Sequence, residues 1–492
     1  MVVDMKDGAH VSNSDIELRS DSPREDVVVH GGTGFDARDM QRMGKKQELK
    51  RNFELFSIIG FISILQATWE STLLASYIGL ENGGTAGVIW MSVLTWICFI
   101  AMISSMAEMA SMAPTAGGQY HWVSEFAPPT WEKPFSYIVG WCCCLGWISG
   151  IPACAQICTG LVQGMVLLVY PDADVASLWQ TTLFMFAFLL LTFLFNIYAA
   201  DYLPLAEGVI LCLHVIGFFA FLITMWALSD HAPADKVFFE FNDGGGWGNM
   251  GLSTLVGLGS PLWFFIGPDA GAHMSEELKD ASITLPRAMV WSLVFNGILG
   301  LVTLITFCFC IHDLNAVLDT PTWQPVLAVI YDISGSYAAA DWIKRVDPKR
   351  ELPLNALYVC AGVSIVLSCI NFGSDVAFDA ILSVSNAALI FSYFTSIGCI
   401  RLKRLRGEPL VNCRWSLGRL GAPLNDLSLA FLALSFVFSF FPSSPLAHDP
   451  SAAADMNWAI VMFGAMCIGA AAYYWVKGRH TYVPPVRLVK ND

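Results

Sequence analysis

Charge is what this chain lacks. Only 14% of its 492 residues are Asp, Glu, Lys or Arg, whereas 55% are hydrophobic and the mean hydropathy is +0.55. A soluble protein of this length would divide into several charged-surface domains; so little charge indicates one integral domain with many membrane spans. Basic patches are missing as well. The formal net charge is −14, and no basic face of the kind that follows phosphates is visible, which excludes a nucleic-acid partner. The first 50 residues contain no apolar run resembling the core of a cleaved signal peptide. The 14 cysteines fall almost entirely inside apolar stretches, where a thiol acts as a small hydrophobe. They give no disulfide framework and leave the redox compartment unread.

Residues 1–50 are polar, with ten acidic and eight basic side chains, and read as a disordered cytoplasmic tail. Arg42, Lys45, Lys46, Lys50 and Arg51 precede the first apolar segment and hold the N-terminus inside by the positive-inside rule. A transporter domain at 51–478 and a short cytoplasmic C-terminal tail at 479–492 follow.

Spanning needs about 20 apolar residues. Such runs occur near 53–79, 86–111, 134–170, 178–200, 203–228, 252–277, 285–311, 353–373, 375–400, 425–446 and 457–477. Residues 324–340, QPVLAVIYDISGSYAAA, form a shorter run with Asp332 inside it. Loop charges test the count. The loops near 80–85, 171–177, 312–323 and 442–456 hold acidic residues and no Lys or Arg, and 229–251 holds Lys236 alone. Lys279 and Arg287, the group from Arg401 to Arg419, and Lys477 to Lys490 mark the opposite face. Lys344, Arg345, Lys349 and Arg350 must share that basic face, so a crossing is required between 323 and 341. Seventeen residues of helix reach about 25 Å, against a hydrocarbon core of about 30 Å. This eighth span is therefore shortened, bridged by local bilayer thinning, or missing because a segment of the chain has been lost.

Spans one and six interrupt their apolar runs at mid-depth. Paired discontinuous helices of this kind place a transporter's binding site at the midplane. In span one the interruption supplies Thr68, Trp69, Glu70 and Ser71. An intramembrane carboxylate costs several kcal/mol unless paired or hydrated and marks a substrate or ion path, and Trp69 offers a π-face to a cation; internal pairing of Glu70 and simple packing of Trp69 are the alternative. In span six, GLGSPLWFFIGPDAGAHMSEELKD breaks at 266–270, placing Phe265, Ile266, Gly267, Asp269 and Ala270 around Pro268. Carbonyls before such a break suit an ammonium group, and amides after it suit a carboxylate; a plain proline kink is the alternative. His273, Glu276 and Glu277 match no common zinc spacing, so no metal or other cofactor is implied. Gln156, Asn196 and Asn386 read as interhelical hydrogen-bonding groups. Glu207 and His214, seven residues apart on one helical face, are compatible with a proton relay and so with co-transported protons.

ENGGTAG after span one, AEMASMAPTAGGQYHWVSEFAP after span two and GPDAGAHMSEELKDASITLPRAM joining spans six and seven carry a resemblance. The chain is similar to the fungal amino acid/choline branch of the amino acid, polyamine and organocation transporter superfamily, from about Glu54 to the C-terminal tail. The resemblance implies an all-α polytopic membrane protein with a LeuT-like fold of two inverted five-helix repeats plus two peripheral helices. It also implies substrate held between unwound spans one and six, at Thr68 to Ser71 and Ile266 to Ala270. Family substrates include amino acids, γ-aminobutyrate, choline and polyamines. One departure stands out: members of the branch continue after an element like YDISGS through a full eighth span, whereas here DWIKRVDPKRELPLNAL follows almost at once.

The expected activity is secondary transport of a small amine or amino acid by alternating access, in a plasma membrane rather than a vacuolar one. A non-transporting nutrient sensor on the same scaffold and a secondary-metabolite transporter are the competing readings. A multi-pass enzyme would need a catalytic cluster at a membrane face, and no grouping has convincing spacing.

Overall fold

The computed structural model of the chain describes residues 32–170, 172–175, 177–198, 202–320, 322, 324–334, 375–446 and 456–486. Among these residues no β-strand forms. Isolated backbone bridges join Phe53 to Leu278 and Asn82 to Asp243. Nine helices of the described residues are long and apolar enough to cross a membrane, so the all-α polytopic reading holds.

A short helix, α1 (Gly34–Arg42), precedes the spans. Span one is built from α2 (Leu55–Gln66), α3 (Thr68–Leu74) and α4 (Tyr77–Glu81). Span two is α5 (Gly84–Met112), followed by the non-spanning α6 (Gly118–Phe126). Spans three, four and five are α7 (Glu132–Val169), α8 (Leu178–Tyr198) and α9 (Leu203–Leu228). After α10 (Ala234–Phe239), span six comprises α11 (Met250–Val256), α12 (Gly259–Phe265) and α13 (Ala270–His273). Span seven is α14 (Ala281–Phe309), then come α15 (Leu314–Leu318) and α16 (Pro325–Ser334). Asp375–Leu405, Gly421–Phe438 and Ala459–Tyr473 are spans ten, eleven and twelve. Interrupted helices thus stand first in each set of five spans, where an inverted repeat requires them.

Neighbouring helices enclose most of spans two and ten, 67% and 72% of their apolar windows, against 17% for spans five and twelve. Spans two and ten are therefore the packed interior, and the outward faces of spans four and five carry exposed Leu190, Phe193, Ile216, Phe219 and Ile223. With no hydrophobic drive between helices in lipid, close packing has to supply the cohesion. α5 packs along α14, and span ten packs along α7.

Part of the expected disordered tail is ordered. Thr33 caps α1 through Asp36, and the two residues form a reciprocal capping box. Asp36 is buried, and its carboxylate accepts from the Asp280 and Ala281 backbone N–H groups at 2.9 Å, capping the start of span seven from a distant part of the chain. Arg51, also buried, lies 3.4 Å from Asp36 and donates to the Ser275 and Leu278 carbonyls. Arg42 donates to the Met112 carbonyl, and Lys45 pairs with Glu276 at 2.7 Å. The basic residues that mark orientation in the sequence therefore also tie the N-terminal segment to the ends of spans two, six and seven. Composition conceals this, because each of these bonds joins residues far apart in the chain.

The short eighth segment is described only as far as Ser334. Within α16, Asp332 lies 3.3 Å from His312 of the preceding loop, and both side chains are exposed. Eight residues into its helix, then, Asp332 is still at the face bearing the acidic loops. The rest of 324–340, the span expected at 353–373 and the Asn196 side chain lie outside the described residues.

Candidate functional site

Span one breaks at a single residue. Ala67, φ 40° and ψ 46°, ends α2 and begins α3 in the left-handed conformation, which costs a non-glycine residue roughly 1–2 kcal/mol. The chain then resumes a helix, leaving the first amides of α3 without intrahelical acceptors. Span six breaks over several residues. α12 ends at Phe265, Ile266 is extended, and Gly267 takes φ +117°, which only glycine adopts without strain. The two interruptions meet: Gln66 Nε2 donates to the Phe265 carbonyl at 3.4 Å, and Asn296 of span seven reaches Gln66 Oε1 at 3.5 Å. A Cβ on Gly271 would sit 2.6 Å from Ile62 Cδ1, so glycine there lets α13 lie directly on α2.

The span-one residues fan out. Thr68 is fully buried with its methyl over Gly300 of span seven. Trp69 turns toward span five, where its ring packs among His214, Phe218 and Phe221 and its Nε1 donates to the His214 carbonyl at 3.2 Å. Glu70 Oε1 lies 2.8 Å from His214 Nδ1, with 25% of the glutamate side chain exposed and the histidine almost wholly enclosed. Ser71 Oγ donates to the Gln66 carbonyl across the break. His214, paired in the sequence with Glu207, is thus joined to Glu70 instead. Glu207 lies nearer the basic face, with Glu277 as its charged neighbour.

The span-six residues converge and are enclosed. Phe265 is buried against Phe99 and Phe264. Ile266 stays partly exposed, and Gly267 and Ala270 are buried. Asp269 has no exposed surface; its Oδ1 accepts from Tyr393 of span ten and its Oδ2 from Gln119 of α6, both at 2.7 Å. His273 Nδ1 donates to the Ala116 carbonyl at 2.9 Å rather than joining Glu276 and Glu277. Outside the spans, burial alone would raise the Glu276 carboxyl, but the Lys45 ammonium, the Ala116 N–H and the Thr115 hydroxyl carry it below the usual glutamate value.

Gln66, Gln119, Asn296 and Tyr393 were not singled out from the sequence. Gln119 sits inside the motif after span two, a local signal for it; Tyr393 lies in an aromatic-rich run that sets it apart from no neighbour. The residues form a polar seam at the meeting of two broken helices, with one partly exposed carboxylate and one enclosed carboxylate on either side. Such a seam can coordinate a small polar molecule through backbone groups and a charge.

The family model for amino acid permeases matches residues 53–343 and 330–466. Its two stretches overlap at 330–343, within the underlength eighth segment. A Macrophomina phaseolina protein named for amino acid/polyamine transport is 28% identical, covering 82% of this chain and 96% of its own length. The choline transporter of Saccharomyces cerevisiae is 24% identical over 98% of this chain and 90% of its own, and amino-acid permease 2 of Neurospora crassa 23% over 91% and 88%. Among solved structures, the Eremococcus coleocola manganese transporter matches 88% of this chain and 95% of its own at 12% identity and a TM-score of 0.44, too loose to carry a fold assignment.

Proposed function

The chain belongs to the amino acid permease family and is a multi-pass membrane transporter; from that premise we propose that it moves a small amine or amino acid, such as choline, γ-aminobutyrate or an amino acid, by alternating access. The observation that carries this reading is the partly exposed Glu70 carboxylate at the start of α3, beside a break that abuts the break of span six. Free amides of α3 and carbonyls ending α12 complete a site for a molecule with an ammonium group, and Thr68, Trp69, Ser71, Phe265, Ile266, Gly267 and Ala270 frame it, with Asp269 enclosed beneath. The curated names of relatives, choline in one and amino acids in another, support the same substrate class.

The face bearing Lys and Arg, with both termini, is cytoplasmic in this reading, and the membrane is the plasma membrane. His214 then serves Glu70 directly, with Glu207 between it and the cytoplasm, so a relay would run from Glu207 through His214 to Glu70. Uptake of labelled choline, γ-aminobutyrate and amino acids into transporter-deficient cells tests the proposal. Saturable uptake of one of them is expected; none from correctly trafficked protein defeats it. A second reading, ligand sensing without flux, draws on one observation: the two stretches of the family match overlap at 330–343, where the sequence offers a segment too short for an ordinary eighth span.

A further inference from the structure

Below the break of span six, a carboxylate is enclosed by groups that carry no charge. Asp269 accepts from the Gln119 amide and the Tyr393 hydroxyl, and neither balances a negative charge. A carboxylate within a bilayer persists only with a cation or a proton alongside. From span three Cys143 faces it, its thiol turned to Ser392 of span ten; Tyr393 faces it from span ten, Gln119 from α6 and His273 from its own half-helix. Of these, only His273 can become cationic near neutral pH. His273 follows Asp269, the N-cap of α13, by four positions, so the two lie on one side of that turn. His273 Nδ1–H is committed to the Ala116 carbonyl, while its Nε2 is buried with no hydrogen-bond partner among the described residues.

Gln119 supplies an independent observation. Its Nε2 donates to Asp269, while its Oε1 is buried and also has no partner among the described residues. A primary amide suits either state of the carboxyl. Nε2 donates to the ionised form, and after half a turn Oε1 accepts from the protonated one.

We propose that Asp269 and His273 hold one exchangeable proton between them and that its arrival and departure close and open the α13 half-helix beneath the substrate site. Resting on the transport reading above, this gives the coupling ion a site at span six beside the Glu207–His214–Glu70 relay at spans five and one. No covalent bond other than O–H or N–H is made or broken: a proton enters from water on one side and leaves to water on the other. With the proton present, the pair is accommodated among the neutral donors of α6 and span ten. When it leaves, an uncompensated charge remains, and α13 is released from Gln119 and Tyr393 toward water.

The test uses the full chain in proteoliposomes with labelled choline and labelled γ-aminobutyrate as probes. Exchange of probe for probe moves no net proton, whereas accumulation under a pH gradient does. One unit of gradient supports about tenfold accumulation at one proton per substrate. Asp269→Asn is expected to bring the accumulation ratio close to one while exchange falls far less. Tyr393→Phe and His273→Gln, milder changes, should shift the pH at which exchange is half-maximal. Wild-type accumulation by D269N overturns the proposal, as does equal loss of exchange and accumulation in a protein that stays monodisperse. An unmoved pH profile in both milder variants overturns it too. If the wild type transports neither probe, the transport reading fails on its own; the proton is then sought by infrared difference spectroscopy as a pH-dependent carboxylic-acid band. Presence of the band in the wild type and its loss in D269N sustain the inference, and its absence from the wild type overturns it.

Discussion

Each helix break carries one carboxylate, and the two are held in opposite ways. Glu70, beyond the span-one break, keeps 25% of its side chain exposed and faces one titratable partner, His214. Asp269, at the span-six break, is wholly enclosed and bonded to neutral groups from two other elements. A charge that reaches solvent can meet a cargo without first breaking protein contacts. An enclosed charge cannot be reached without moving the helix that carries it. If Glu70 meets the cargo and Asp269 holds the proton, as proposed above, the difference separates recognition from gating within what looks, from the sequence, like one set of binding residues.

The largest effect should come from Asp269→Leu, which leaves the Gln119 amide and the Tyr393 hydroxyl buried without an acceptor. At about 1–3 kcal/mol for each of the two stranded groups, a loss of roughly 2–6 kcal/mol is expected, read as a lowered unfolding temperature in detergent. Glu70→Leu should cost less, about 1 kcal/mol, because its carboxylate is partly hydrated already. Equal losses would erase the distinction between the two sites.

Backbone changes sharpen the same contrast. Gly267→Ala places a side chain at φ +117° with its Cβ 3.2 Å from Leu65 Cδ2, and should destabilise by about 1–3 kcal/mol. Ala67→Gly removes left-handed strain and should be neutral or stabilising by up to about 1 kcal/mol. Opposite signs in paired thermal melts are the expected result; the same sign in both would mean that the strain at Ala67 is illusory or that Gly267 relaxes freely.

A smaller and more selective effect is expected at Glu70 itself. Glu70→Gln keeps the shape and removes the charge, so affinity for choline should fall about tenfold, near 1.4 kcal/mol, while affinity for zwitterionic γ-aminobutyrate falls by no more than about threefold. Competition binding measures both. Equal, negligible changes would remove Glu70 from the site.

Much of this arrangement was legible in the sequence because membrane spans and helix breaks are local properties. Long apolar runs disclosed the spans, and Pro268 with Gly267 disclosed the second interruption. The break at Ala67 came from polar neighbours rather than from any helix breaker, so its one-residue sharpness stayed hidden. Partnerships were less accessible. Helical periodicity put Glu207 and His214 on one face and suggested that they act together, but it could not report that Glu70, 144 residues earlier, reaches His214 first. Gln119 and Tyr393 meet Asp269 across separations of 150 and 124 residues, which no local pattern records. The tail at 33–51 reads as disordered for the same reason: its order comes from Asp36 and Arg51 binding the start of span seven and the end of span six.

That docked tail provides the smallest effect and confines it to one of the two breaks. Lys45 pairs with Glu276 directly after α13, and among the described residues no comparable bond from the tail reaches α3. Although burial opposes it, the ammonium and its neighbouring donors hold the Glu276 carboxyl below its usual value. Depression in the folded state means that the pairing stabilises at pH values above the ordinary glutamate range, about 4.3, and that this contribution is lost as pH falls through the lower, folded value. Acidification should therefore loosen residues 33–51 before it disturbs the spans, seen as faster proteolysis at Lys45, Lys46 and Lys50 below about pH 4. Glu276→Gln should give that faster cleavage at neutral pH and remove most of its dependence on acid, while leaving any choline-to-γ-aminobutyrate preference, proposed to rest on Glu70, unchanged. Were the preference to move with the tail, the two breaks would be coupled through the facing ends of spans six and seven, and recognition could no longer be assigned to span one alone.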